Sequence, residues 1–216
     1  MMAISYEEKK SAVLAQFFEQ YIENPIKNSL AALQSINNPH LPLAMMLCSI
    51  VDFYGRIFRV GYDGFPLTVN NKRDHRSFND GEKNFIFFFS KFFPTACADK
   101  GILVFRIFRC GVLHQIFPKG AGLNYCPNDV RLIINETLPP PAGYDIPVLN
   151  LYAFKKHVLD ALENQLELVK KDDPAIKLVL ENMYNELIAA PDALNDFYKR
   201  DEVIKTFTDA GESIYC

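Results

Sequence analysis

The sequence predicts an all-α protein: an antiparallel helical bundle with extra helices and one small β-hairpin. Three observations predict it. Apolar residues recur at helical spacing through most of the 216 residues. Breaks rich in Pro, Asn and Gly cut these stretches into helix-length segments, several of them joined by short connections. Alternating apolar residues are confined to one short stretch, at about residues 121–135.

The first helix is expected over Ser5 to Asn24. Ser5 caps it, and Glu8 three residues on completes a capping box. Leu14, Phe17, Phe18, Tyr21 and Ile22 form its apolar face. Pro25 kinks or restarts the helix, which continues to about Ile36, and Asn37-Asn38-Pro39 breaks it. Leu41 to Phe58 is apolar nearly all round, as a central helix must be, and its only charge before Arg56 is Asp52. Gly61 to Asp80 reads as a long polar loop. The Phe-rich stretch from Gly81 to Phe93 reads as a helix, its aromatic stripe serving the core. Thr95 to Phe117 makes another helix, stopped by Pro118.

The hairpin follows: Leu123 and Tyr125 alternate, as do Val130, Leu132 and Ile134, around Cys126-Pro127-Asn128-Asp129. Pro139 to Pro141 reads as a stiff connector. C-terminal helices occupy about 147–212. The clearest runs from Asn150 to Lys171, with Leu151, Phe154, Val158, Leu162, Leu166 and Val169 on one face; the next carries Ile176, Val179, Leu180, Met183 and Leu187; Pro191 opens the last.

Hydrophobic residues make up 49% of the chain, and 18 Phe stand beside no Trp, enough apolar bulk for one sizeable core and a single domain over 1–216. The start of the chain is polar and carries no signal-peptide pattern, and the longest uncharged apolar stretch, Leu41 to Val51, falls short of the roughly 20 residues that cross a bilayer. A cytoplasmic protein that engages no membrane is expected. The five Cys are odd in number and none is paired in Cys-x-x-Cys spacing, which argues against a disulfide framework or zinc ribbon. No metal-ligand cluster stands out, and we expect neither metal nor cofactor.

Net charge is −3, against a broad nucleic-acid track, yet its distribution is uneven. Arg56 to Lys119 holds 11 Lys+Arg and 5 Asp+Glu, a net of +6 within a chain whose remainder is −9. A basic middle suits a local anionic ligand.

Within that middle lies Phe108-Arg109-Cys110-Gly111-Val112-Leu113-His114-Gln115, in which four residues separate Arg109 from His114. This resembles the arginine–histidine signature of the HEPN superfamily of small helical domains, and the surrounding residues look like those of uncharacterised bacterial members. The resemblance covers about residues 5–120 and one later helix. It implies a HEPN-like bundle, a homodimer, and metal-independent RNA cleavage with Arg109 and His114 as catalytic residues in a cleft shared between subunits. Neutral His accepts the 2′-hydroxyl proton, His⁺ protonates the leaving oxygen, and Arg stabilises the phosphate charge. Asp52 and Cys110 are expected in support, with Arg106, Lys119 and Arg56 holding phosphates. Asp52 has two readings: an acceptor for Arg109 or His114 inside the bundle, or an i,i+4 partner of Arg56 on its own helix. On a straight helix, five residues turn about 500°, which leaves Arg109 and His114 roughly 140° apart. Active members usually carry a polar residue after the arginine, and Cys110 stands there. The alternative is therefore a catalytically silent HEPN-like module that dimerises or binds a nucleotide or an unidentified protein partner.

Overall fold

The computed structural model describes residues 4–20, 22–63, 78–111, 120–138, 143–171, 174–184 and 188. These form a mostly helical protein with a small mixed sheet on its flank.

Helix α1, Tyr6–Val13, starts at the expected capping box: the Ser5 hydroxyl accepts from the Glu8 amide at 3.3 Å, and the Glu8 carboxylate accepts from the Ser5 amide at 2.8 Å. The helix then widens into π-helical turns over Leu14–Glu19 and Ile22–Asn28 and returns to α winding in α2, Ser29–Ser35. Pro25 sits inside the second π segment, so local widening absorbs its missing N–H without ending the helix. The Tyr54 hydroxyl donates to the Phe17 carbonyl at 2.7 Å, giving one carbonyl of the first π segment a partner from the centre of the core.

Asn38, at φ 59°, turns the chain into α3, His40–Asp63. Leu43, Leu47, Val51, Tyr54 and Phe58 on this helix are at most 1% exposed. The stretch His40–Arg59 is long and apolar enough to cross a bilayer, but 56% of its most apolar window is buried in the protein, where it packs against its neighbours as a core helix. Helix α4, Phe78–Phe92, lies along it. The expected loop over 61–80 thus has helix at both ends, and its middle, 64–77, lies outside the described residues. Phe85, Phe88 and Phe89 are fully buried, and the ring pairs Phe58–Phe92 and Phe18–Phe58 link the first π segment, α3 and α4.

The next helix begins as 3₁₀ over Thr95–Lys100, passes through α5, Gly101–Leu103, and widens into a π segment, Val104–Arg109. Three strands follow: β1, Gly122–Asn124; β2, Ile133–Thr137; and β3, Asp145–Asn150. The sheet order is β1-β3-β2, with β3 parallel to β1 and antiparallel to β2. This corrects the expected hairpin over 121–135: β1 and β2 do not pair, because β3 lies between them. Strand β3 also corrects the expected start of the C-terminal helices at about 147: the helix begins at Leu151, and 145–150 is strand that includes Pro147. The proline is tolerated because β1 pairs only from Val148 onward, one residue past the ring.

Asn150 ends β3 and caps α6, Leu151–Lys170; helix α7, Pro174–Met183, then packs against α3 and α1. The expected last helix from Pro191 lies outside the described residues. One continuous cluster of buried side chains runs through all these helices and reaches β2 and β3.

Candidate functional site

The site is built where α3, α4 and the π segment Val104–Arg109 meet. Two glycines set the approach. A Cβ on Gly55 would lie 2.5 Å from the Asn84 carbonyl oxygen, so α3 and α4 touch backbone to backbone there. A Cβ on Gly81 would meet the Phe105 ring at 2.9 Å, so that ring lies flush against the start of α4. The wide winding of the π segment closes with the Cys110 amide bonded to the Phe105 carbonyl, five residues back, and Arg109 projects from this closing turn.

Four polar side chains thread this otherwise apolar junction. Arg109 Nη2 donates to Asp52 Oδ2 at 2.9 Å. The other oxygen of Asp52 accepts from Asn84 Nδ2 at 2.8 Å, and Asn84 Oδ1 accepts from Arg59 Nε at 3.0 Å. The Arg109 guanidinium also lies over the Phe105 ring, 5.2 Å from its centre. Asn84 is 3% exposed, whereas the Asp52 and Arg109 side chains keep 24% and 20%. The network runs from the interior to a partly open edge.

Asp52 therefore takes the cross-helix role, with partners on α4 and the π segment. Cys110 is half-buried beside Arg109. Behind it Cys48 is fully buried, and burial pushes its thiol up to about 12, only partly opposed by the Arg109 charge. Arg106, expected to hold phosphate, reaches back to α4: its Nη2 lies 2.9 Å from Glu82 Oε1, and the side chain remains 65% exposed. Arg56 is exposed on α3. His114 and Lys119 lie outside the described residues.

Asn84 and Arg59 were missed from the sequence. The available signal was a lone amide on the apolar face of a Phe-rich helix, where a polar residue needs a partner. Among the described residues no group of three or more His, Cys, Asp or Glu is placed to hold a metal ion. A shallow groove lined by Lys91, Phe92, Asn164, Glu167, Leu168 and Lys171 opens at the far end of α4 from Gly81 and Asn84.

The chain matches no protein-family model, no curated protein and no solved structure.

Proposed function

We propose that the chain is a HEPN-like, RNA-directed protein whose Arg109 binds and stabilises phosphate charge while His114 handles the proton in metal-independent cleavage, in a homodimer that brings two copies of the pair together. The observation that carries this reading is the way Arg109 is held. Asp52 and the Phe105 ring fix its guanidinium, yet a fifth of the side chain stays accessible at the edge of a basic stretch of chain. The bond to Asp52 orients the guanidinium, whose planar fork of N–H donors matches the oxygens of a phosphate. An arginine fixed before substrate arrives loses little entropy in the transition state, which is what electrostatic catalysis requires. The π-helical closing turn beside it is a further mark of a functional helix segment.

A second reading rests on the same ion pair. Asp52 already balances the Arg109 charge, and Cys110 replaces the usual polar neighbour. Both favour a silent module that binds a nucleotide or a partner without turnover.

The test is cleavage of a mixed single-stranded RNA by the full chain in excess chelator, comparing wild type with Arg109→Ala and His114→Ala. We expect wild-type cleavage and loss of at least tenfold in each variant, with melting curves to exclude unfolding. Cleavage by His114→Ala at the wild-type rate would sink the catalytic reading. RNA retention without cleavage in any of the three proteins selects the silent module. Light scattering reads the dimer separately.

A further inference from the structure

A second cluster lies where α2, the end of β1 and the first turns of α6 meet. Lys155 Nζ donates to Gln34 Oε1 at 2.6 Å, and Gln34 Nε2 donates to the Tyr125 hydroxyl oxygen. The Tyr125 and Tyr152 rings pack edge to face, 5.6 Å apart, and wall one side. All four side chains are half-buried.

Donor counting fixes the orientation of this chain of bonds. Ammonium only donates, so the Gln34 oxygen must face Lys155 and its amide nitrogen must face Tyr125. The phenol oxygen is then an acceptor, and its own proton remains to be given away. No acceptor among the described residues takes it. Lys155 keeps two further N–H groups and forms no ion pair with a carboxylate among the described residues. Burial pulls its pKa below the usual lysine value, and no neighbouring acid opposes that shift. The cluster thus presents a positive charge and an oriented O–H with no protein acceptor, beside the positive end of a 20-residue helix. A ligand made only of acceptors, carrying negative charge, satisfies every one of these groups at once.

We infer that Lys155, Tyr125 and Gln34 form a binding site for an oxyanion, a phosphate or carboxylate group of a small ligand, with Lys155 and Tyr125 as its donors and Gln34 as the residue that orients both. The site is separate from the Arg109 network and does not rest on the proposed nuclease reading.

The experiment uses the full chain and the acylation of lysines by a mild acetylating ester, read by mass spectrometry. Inorganic phosphate and acetate are the two probes, each against chloride at equal ionic strength. Lys83, exposed on α4, is the internal control. One or both probes should slow acetylation of Lys155 several-fold while leaving Lys83 unchanged. Protection by phosphate alone identifies a phosphate ligand, and protection by both identifies the wider carboxylate class. Tyr125→Phe removes the hydroxyl, both the free O–H and the acceptor for Gln34 Nε2, and should lose most of the protection while the chain still unfolds cooperatively. Equal effects on Lys83 and Lys155, no protection by either probe, or full protection retained in folded Tyr125→Phe would each overturn the proposal.

Discussion

Arg109 and Asp52, 57 positions apart in the chain, meet Nη2 to Oδ2 at 2.9 Å and tie the π segment to the middle of α3. Asp52 holds Asn84 with its other oxygen, so its carboxylate is the node of the network. Removing one partner of a part-buried charged pair leaves the other desolvated and unmatched, which costs more than the pair itself contributes. Asp52→Ala should lower stability by about 2–3 kcal/mol and Arg109→Ala by about 1–3 kcal/mol. The double variant should fall short of their sum by about 1 kcal/mol or more, since the two groups touch. Urea unfolding of all four proteins measures this. Strict additivity would mean that the bond is absent in solution.

Asn84 is linked to Arg109 through Asp52. Asn84→Leu is close in volume, but it removes a bond to each of Asp52 and Arg59 and leaves Asp52 one acceptor short of a donor. Stability should drop by about 1–3 kcal/mol. If the RNA-directed reading holds, phosphate-dependent activity should also fall, with the larger change in kcat than in KM, because the loss is of orientation rather than of charge. Asn84→Asp tests the same point differently. It adds a second carboxylate facing Asp52 and should be worse than Asn84→Leu; an equal or better melting temperature would contradict the assigned contact.

Much of this arrangement was legible in the residues. Ser5 and Glu8 announced the first cap, Asn150 the start of α6, and the Phe run the face of α4 that is buried. The reach of Asp52 toward Arg109 stood as one of two readings, and only the packing of α3 against the π segment decided between them. Other features had no local signature. Helix widening at Leu14–Glu19 and Val104–Arg109 depends on tertiary packing and leaves no periodic mark strong enough to read. Strand β3 is short and carries a proline in its middle, so Asp145–Asn150 shows no clear alternation, and its place between β1 and β2 is set by pairing with distant residues. The partners of Asn84 lie 32 and 25 positions away, beyond any helical spacing rule.

Gly55 places opposing effects in competition. Ala at an interior helix position is favoured over Gly by up to about 1 kcal/mol. At Gly55, however, the new methyl carbon would sit 2.5 Å from a backbone oxygen, which cannot rotate away. Forcing α3 and α4 apart costs about 1–3 kcal/mol and shifts Asn84 off Asp52. Gly55→Ala should therefore destabilise by about 1–2 kcal/mol, read by thermal unfolding. A gain in melting temperature would show that the two helices are farther apart than described.

Asn150 is fully buried and fully used. Its Oδ1 accepts from the amides of Tyr152 and Cys126, both at 3.1 Å. Its Nδ2 is shared among the carbonyls of Cys126, Asp129 and Arg131, the nearest at 2.7 Å. One side chain thus caps α6 and pins the turn between β1 and β2. Asn150→Ala should cost about 2–4 kcal/mol, combining a lost cap with stranded carbonyls. Asn150→Asp keeps the cap but turns carboxylate oxygens toward three carbonyls, so it should not rescue. Stability of the Asp variant equal to wild type by urea unfolding would refute the donor role of Nδ2.

The Cys48 thiol, pushed up to about 12 by burial, gives a prediction in both reactivity and pH. Thiols in unfolded chains ionise near about 8.5. The folded value is raised, so the stabilisation from keeping Cys48 protonated is complete below the unfolded value. It is lost progressively as pH climbs from there toward the folded value. Stability should therefore decline through the alkaline range, and Cys48→Ala should decline less steeply, though from a lower starting point because of the cavity it leaves. Alkylation provides the second measurement. Near pH 8 a small alkylating reagent should label half-buried Cys97, Cys110 and Cys126 in the native chain and spare Cys48 until denaturant is added. Labelling of native Cys48 at the rate of Cys110 would mean that the junction beneath Arg109 opens in solution, and the Asp52–Arg109 bond would then be a transient contact rather than a fixed one.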